Sequence, residues 1–449
     1  MNYDAIILGF GKAGKTLAAA FAKQGKTVAL VEKSAEMYGG TCINVGCIPS
    51  KSLVTSAAEA RLHSGDPFER KAERYAAAIQ EKRRVTALLR RKNYEKLTNL
   101  PGVSIYDGLG SFLSDRSVEV SLTSGGKAVL ESSRVFVNTG SETVLPPIEV
   151  IDNHHVYTSR TRMDEEKLPR RLTLIGAGYI GMEFASMYSL FGAEVTVVQD
   201  GTAFLPKEDR DVALEIRSIL EKQGVRFILG AKPVRLEGAS LVYERDGVSA
   251  VLPGDAVLLA TGRKAATEGL NVEKAGIALT NRGAIPVNEL LQTAVPGIWA
   301  LGDVNGGPQF TFVSLDDSRI ILSQLGGGHF TLKDRVNLPY SVFMNTPLSR
   351  VGLTEEQAAA QGLPFRVFKI PTAAVPKAQV LRHTEGFLKA LVHAESGRII
   401  GAALLCPESY EIINLLKLAM DFDLDYRELR DRIYTHPTMT EALNDLFAL

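Results

Sequence analysis

Cys42 and Cys47 stand five positions apart in GGTCINVGCIPSKSL (residues 39–53), and they are two of only three cysteines in a 449-residue chain. A close cysteine pair can be a structural disulfide, a metal clip or a redox dithiol. Three cysteines cannot build a disulfide framework, which argues against a staple. A zinc site needs four protein ligands, or three and a water. The histidines, at 63, 154, 155, 329, 383, 393 and 436, have no zinc-motif spacing. A redox dithiol is the reading that stands. On a regular helix, Cα atoms five residues apart are roughly 8.5 Å apart, beyond the ~6.8 Å a disulfide spans. Gly46 and Pro49 supply the irregular turn the pair requires, at a distorted helix start where thiol pKa values fall.

Such a pair needs a source of electrons, and the surrounding elements suggest one. Residues 5–32 read as an apolar strand, the loop Gly9-Phe10-Gly11-Lys12-Ala13-Gly14, an alanine-rich helix and a second strand closing on Glu32. Residues 172–199 repeat the pattern with Gly176, Gly178 and Gly181, closing on Gln199. One GxGxxG is weak; two, each between strand and helix, predict two bound dinucleotides. The first glycine allows a tight turn, the second admits a pyrophosphate, and the third lets helix and strand pack. The phosphates rest on the helix N-terminus. Glu32 can accept from a ribose 2′-OH, so the first nucleotide is not 2′-phosphorylated. At the second site Gln199 is followed by Asp200, and no Arg or Lys appears before Lys207, which favours NADH over NADPH.

Bulk composition is that of an ordinary globular protein: 45% hydrophobic, 23% charged and formally neutral. No basic excess recruits nucleic acid, and apolar runs are too short for a membrane span. MNYDAIILGFG shows no secretory signal, so a cytoplasmic location is expected. The basic stretch 81–97 is expected to be a solvated helix with Val85, Leu88 and Leu89 turned inward. His154 and His155 read as a polar connection, and Cys406 as a small buried apolar residue.

GGTCINVGCIPSKSL resembles the active-site stretch of the flavin-dependent pyridine-nucleotide disulfide oxidoreductases, which include dihydrolipoamide dehydrogenase, glutathione reductase and mercuric reductase. NTGSETVLPP (138–147), GAGYIGME (176–183), LATGRKA (259–265), GIWALGDV (297–304) and HPTMTEAL (436–443) follow in the family's order. The resemblance implies FAD on the first glycine unit, with Gly40, Thr41, Thr139, Gly140, Gly302 and Asp303 lining it. It implies NADH or NADPH on the second, and Gly262 and Arg263 are further cofactor-binding candidates. Cys42 would be the interchange thiol and Cys47 the thiol in charge-transfer contact with the flavin. Lys51 would lie beside flavin N5 with Glu183 as its partner. His436, oriented by Glu441, would be the acid/base next to Cys42 across a homodimer interface.

The implied fold class is α/β: two Rossmann-like dinucleotide-binding domains and a mixed α/β dimerisation domain. The expected limits are 1–145 with 266–335 for FAD, 146–265 for NAD(P) and 336–449 for dimerisation. Departures from common members include Leu348 and Arg350 in NTPLSRVGLTE, the charged SLDDSRI (314–320), and PTAAVPKAQV (371–380). With GFGKAGKTLA, they resemble a bacterial subgroup of reactive-chlorine-resistance flavoproteins that reduce Cu(II). The implied acceptor is therefore Cu(II), or a related metal ion or oxidant. No resident metal site is expected; Cys42 and Cys47 would at most touch a substrate ion transiently, as soft donors that favour Cu(I). The alternatives are a dihydrolipoamide dehydrogenase or other small-disulfide reductase, and a flavin-binding signalling protein without turnover.

Overall fold

The computed structural model describes residues 1–152 and 154–448. Contacts divide the chain into two units, each drawn from separate stretches: 1–52, 78–145 and 261–335, then 53–77, 146–260 and 336–449.

The first unit is built on a seven-stranded sheet ordered Ile298–Ala300, Val135–Val137, Ala5–Leu8, Val28–Glu32, Val103–Phe112, Ser117–Leu122 and Lys127–Glu131. Its first five strands pair in parallel and its last three form an antiparallel meander. The apolar run AIIL follows from burial on both faces: Ile6 and Leu8 join one core cluster, Ala5 and Ile7 the other. The Lys12–Lys23 helix covers the second cluster with Leu17, Ala18 and Phe21.

The second unit holds an all-parallel five-stranded sheet ordered Arg226–Leu229, Glu194–Gln199, Arg171–Ile175, Ala256–Leu259 and Val156–Thr158. The Tyr179–Phe191 helix connects two of its strands and stops at Gly192, whose φ of 99° lies in the left-handed region. An antiparallel five-stranded sheet, Tyr340–Val342, Leu348–Gly352, Ile399–Leu405, Phe387–His393 and Phe365–Pro371, makes a further layer. The Ser409–Asp421 helix buries Ile412, Ile413, Leu416, Ala419 and Met420 in the core that also holds Cys406. Burial pushes the Cys406 thiol pKa up.

The basic stretch lies in one helix, Phe68–Thr98, but its inward stripe differs from the expected one. Tyr75, Ala78, Ile79, Lys82 and Thr86 are buried, while Val85, Leu88 and Leu89 are half-buried. Spacing explains this: the buried set follows i, i+3, i+4, i+7 and i+11, one helical face. His154 makes a local turn, its N–H donating to Asp152 Oδ1 at 3.0 Å.

Candidate active site

The cysteine stretch folds as the irregular turn its spacing demanded. Thr41–Asn44 is a short helix and Cys47 opens a second, Cys47–Ala60, with Val45 and Gly46 between them. Gly46 sits where an added Cβ would meet the Thr41 carbonyl oxygen at 3.0 Å. Pro49 falls in the first turn of the second helix, where its missing N–H leaves no bond unmade. Both sulfurs are free thiols. The neighbouring Cys47 thiol lowers the Cys42 pKa to about 6, while Cys42 and burial raise that of Cys47. Thr311 Oγ1 lies 3.6 Å from Cys47 Sγ. The protein's own groups thus favour the thiolate on Cys42.

The first glycine loop is a cradle that side chains would fill. A Cβ on Gly9 (φ 104°) would lie 2.3 Å from the Asn138 carbonyl oxygen, and one on Gly14 would lie 2.5 Å from that of Gly9. Asn138 is a residue whose role the sequence reading missed. Its Oδ1 accepts from Gly14 N–H at 2.9 Å and its Nδ2 donates to the Leu301 carbonyl at 2.7 Å. It thereby ties the first loop to the one bearing Gly302 and Asp303. Glu32 accepts from Phe10 N–H at 3.0 Å and Ser34 N–H at 3.3 Å; burial raises its pKa despite both donors. Asp303 accepts from the Ser141 hydroxyl at 2.5 Å, and Arg263 Nε donates to the same hydroxyl at 2.9 Å. Thr139 Oγ1 donates to the Ala266 carbonyl at 2.8 Å. Gly40 packs so closely that its Cβ would stand 2.8 Å from Gly11 Cα, and Thr41 Oγ1 lies 4.0 Å from the Cβ position of Gly140. The cysteine turn and the dinucleotide loop are therefore brought together. Backbone N–H groups at a glycine-lined helix start and an acidic residue closing the second strand fit an adenine dinucleotide.

The second loop repeats the design in the other unit. A Cβ on Gly181 would lie 2.2 Å from the Gly176 carbonyl oxygen, whereas nothing stands within 4 Å of Gly178, leaving room for a ligand; Gly262, in the first unit, is likewise open. Gln199 Oε1 accepts from Ala177 N–H at 2.8 Å and its Nε2 donates to the Ala203 carbonyl at 3.2 Å. Tyr179, the first residue of the helix, donates to Glu208 Oε1 at 2.6 Å, as does Tyr340. Buried Arg350 meets the other Glu208 oxygen at 3.1 Å. That network explains the unusual Arg350, whose partner lies 142 residues away and left no local signal.

Lys51 donates to Ser50 Oγ at 3.3 Å, and Glu183 accepts from Phe343 N–H at 2.9 Å. His436 Nδ1 is 2.7 Å from Glu441 Oε2, and this partner lowers the Glu441 pKa. Lys51 and Cys42 belong to the first unit, Glu183, His436 and Glu441 to the second.

A fold with two nucleotide cradles and a vicinal dithiol defines a class, and sequence comparison agrees. Residues 3–317 match the pyridine nucleotide-disulphide oxidoreductase family and 338–447 match its dimerisation domain; the chain belongs to this family. Among its relatives, the probable pyridine nucleotide-disulfide oxidoreductase RclA of Escherichia coli is 46% identical, with 100% of this chain and 99% of the relative covered. The mitochondrial dihydrolipoyl dehydrogenase of Pisum sativum is 32% identical over 98% of this chain and 90% of the relative. A Cu(II) complex of the HOCl-induced flavoprotein disulfide reductase RclA from Escherichia coli superposes with a TM-score of 0.94, covering 100% of this chain and 99% of that one. The protein is a flavoprotein disulfide reductase of this family, served by FAD and a nicotinamide dinucleotide. No helix among the described residues is long and apolar enough to cross a membrane.

Proposed function

We propose that this chain moves electrons from NADH, in preference to NADPH, through Cys42 and Cys47 to Cu(II), as a cytoplasmic homodimer in defence against reactive chlorine. The observation that carries the reading is the dithiol itself, held against the first glycine loop with its first thiolate on Cys42. Bound FAD would supply two-electron exchange between nicotinamide and disulfide.

The protein's residues do the rest. Gly9, Gly11, Gly14, Glu32, Gly40, Thr41, Thr139, Gly140, Gly302 and Asp303 would hold FAD. Gly176, Gly178, Gly181 and Gln199 would hold the nicotinamide nucleotide, and Gly262 and Arg263 would be further cofactor-binding residues. Cys42 would meet the acceptor, Thr311 would steady Cys47, Lys51 would bring a positive charge, and Glu183 would bring a carboxylate. His436, oriented by Glu441, holds or returns the thiol proton across the dimer interface. The balance is NADH, a proton and the disulfide giving NAD⁺ and the dithiol. The dithiol and two Cu(II) then give the disulfide, two Cu(I) and two protons. Thiolates suit this step because they stabilise Cu(I). The proposed domain limits are 1–145 with 266–335, 146–265 and 336–449.

The His436–Glu441 pair also suits a small dithiol substrate, which is the second reading. Purified protein given NADH and Cu(II) with a Cu(I) chelator should form Cu(I) at two per NADH, and Cys42→Ser should lose this. Faster turnover with dihydrolipoamide and NAD⁺ would establish the second reading instead. Undiminished Cu(II) reduction by Cys42→Ser would remove the dithiol from the mechanism.

A further inference from the structure

Lys15 is a cation of the first unit that the reading above leaves without a task. It lies one turn into the Lys12–Lys23 helix. Its ammonium donates to the Gly39 carbonyl at 3.2 Å and to Asn93 Oδ1 at 2.7 Å. Asn93 is oriented for this, since its Nδ2 donates to the Leu89 carbonyl at 2.7 Å. Gly39 begins the turn that ends in Cys42, and that turn has little slack. Gly39 and Gly40 hold φ values of 94° and 85°, and a Cβ on Gly40 would strike Gly11. One ammonium thus joins the glycine-loop helix, the cysteine turn and the long Phe68–Thr98 helix, three residues before the reactive sulfur.

Its charge points the same way. Both hydrogen-bond partners are neutral, and among the described residues no carboxylate pairs with it. A half-buried ammonium without an anion is unfavourable. Burial lowers its pKa to about 8, Lys12 and Lys96 push in the same direction, and Cys42 opposes them. On Cys42 the neutral Cys47 thiol and the Thr311 hydroxyl act by hydrogen bonding, and Lys15 and Lys51 act by charge, Lys15 the more strongly of the two. Arg90, also packed on this turn through Asn44 at 2.8 Å, is already paired with Glu36. Resting on the redox-dithiol reading, we propose that Lys15 is a positioning residue that anchors the Gly39–Cys42 turn and, as a cation bound to Gly39 three residues before Cys42, favours the interchange thiolate. It transfers neither electron nor proton.

The test uses holoenzyme reduced with excess dithiothreitol and desalted without air. Iodoacetamide is added between about pH 5 and pH 8, and alkylation of Cys42 is followed by mass spectrometry. Lys15→Gln should slow alkylation about tenfold at the acid end, moving the profile up by about one unit. Lys15→Arg should stay within about threefold of the unsubstituted protein, because it keeps the charge. Asn93→Ala, which keeps the charge and loses the anchor, should fall between. Coincident profiles for the Gln and Arg variants, or a Gln variant equal to the unsubstituted protein, overturn the proposal. So does loss of FAD by Lys15→Gln with Cys42 reactivity unchanged, which would assign the lysine to the nucleotide. If Lys15→Gln does not fold, Asn93→Ala decides, and an unchanged rate refutes the anchor. Chemical reduction makes the result independent of NADH; failure of NADH to reduce the pair strikes the redox reading and not the lysine.

Discussion

Replacing Asp317 by alanine should loosen the flavin site from beneath. Asp317 is fully buried in the Thr311–Leu325 helix and accepts from Gly302 N–H at 2.6 Å. Its other oxygen meets Arg335, which also holds Asp316 at 2.7 Å. Gly302 precedes Asp303, so this carboxylate sets the loop that would meet FAD. Alanine orphans the Gly302 N–H, worth about 1–3 kcal/mol. Arg335 keeps Asp316, so that loss stays below the ~3–5 kcal/mol of a fully broken buried pair. Together these suggest about 2–4 kcal/mol for Asp317→Ala. Burial raises the Asp317 pKa despite Gly302 and Arg335. The ionised form is therefore less favoured in the folded chain than in the unfolded one. Its contribution is full below the ordinary carboxylate pKa and shrinks as pH rises through the raised value. Asp317→Asn, which keeps an acceptor for Gly302, should for that reason lose only about 1 kcal/mol at neutral pH. Flavin release followed by fluorescence during heating should come at least about 5 °C earlier for the Ala variant. Its FAD Kd should rise about tenfold or more. An Ala variant that keeps its flavin like the unsubstituted protein would refute the reasoning, as would an Asn variant just as damaged.

Lys389 is wholly buried among Asp209 (3.0 Å), Asp211 (2.9 Å) and Glu355, so Lys389→Ala should destabilise the second unit by about 3–5 kcal/mol. The three carboxylates raise its pKa, so this stability is full below the free lysine pKa and fades as pH rises through the raised one; a thermal-melt pH series checks it. Asp200 is exposed just beyond Gln199, and Asp200→Arg should improve kcat/KM for NADPH relative to NADH by about tenfold or more. Steady-state assays with both nucleotides decide this, and an unchanged ratio would move the discrimination elsewhere.

What could be read from the sequence was what is local. The two glycine loops lie in segments whose period and punctuation are complete within about thirty residues, so strand, turn and helix followed directly. The broken helix at Gly46 was legible because a spacing of five is incompatible with a regular one. Partners distant along the chain were not. Asn138 stood inside a quoted motif, yet its bond to Gly14 spans 124 residues and its bond to Leu301 spans 163. Asp317 registered as an oddity in SLDDSRI, and only burial beneath Gly302 gives that charge a purpose. Hydrophobicity alone points to Val85, Leu88 and Leu89, but helical spacing from Tyr75 puts Lys82 and Thr86 on the inner face instead.

The internal repeat sharpens the difference between the two cradles. Glu32 and Gln199 close equivalent strands and each accepts from the backbone N–H of the residue after the first loop glycine, Phe10 and Ala177. The shared geometry shows that this bond shapes the loop, a job an amide does as well as a carboxylate. What the carboxylate adds is charge, and at Glu32 that charge would repel a 2′-phosphate while accepting from a 2′-OH. Gln199 gives up the repulsion, and its Nε2 is engaged by the Ala203 carbonyl. Under the proposed preference for NADH, discrimination at the second cradle would pass to the next residue, Asp200, which is exposed and carries the negative charge that Gln199 lacks. On that proposal the repeat keeps the device that bends the backbone and moves the charge that would select the nucleotide one position along the chain.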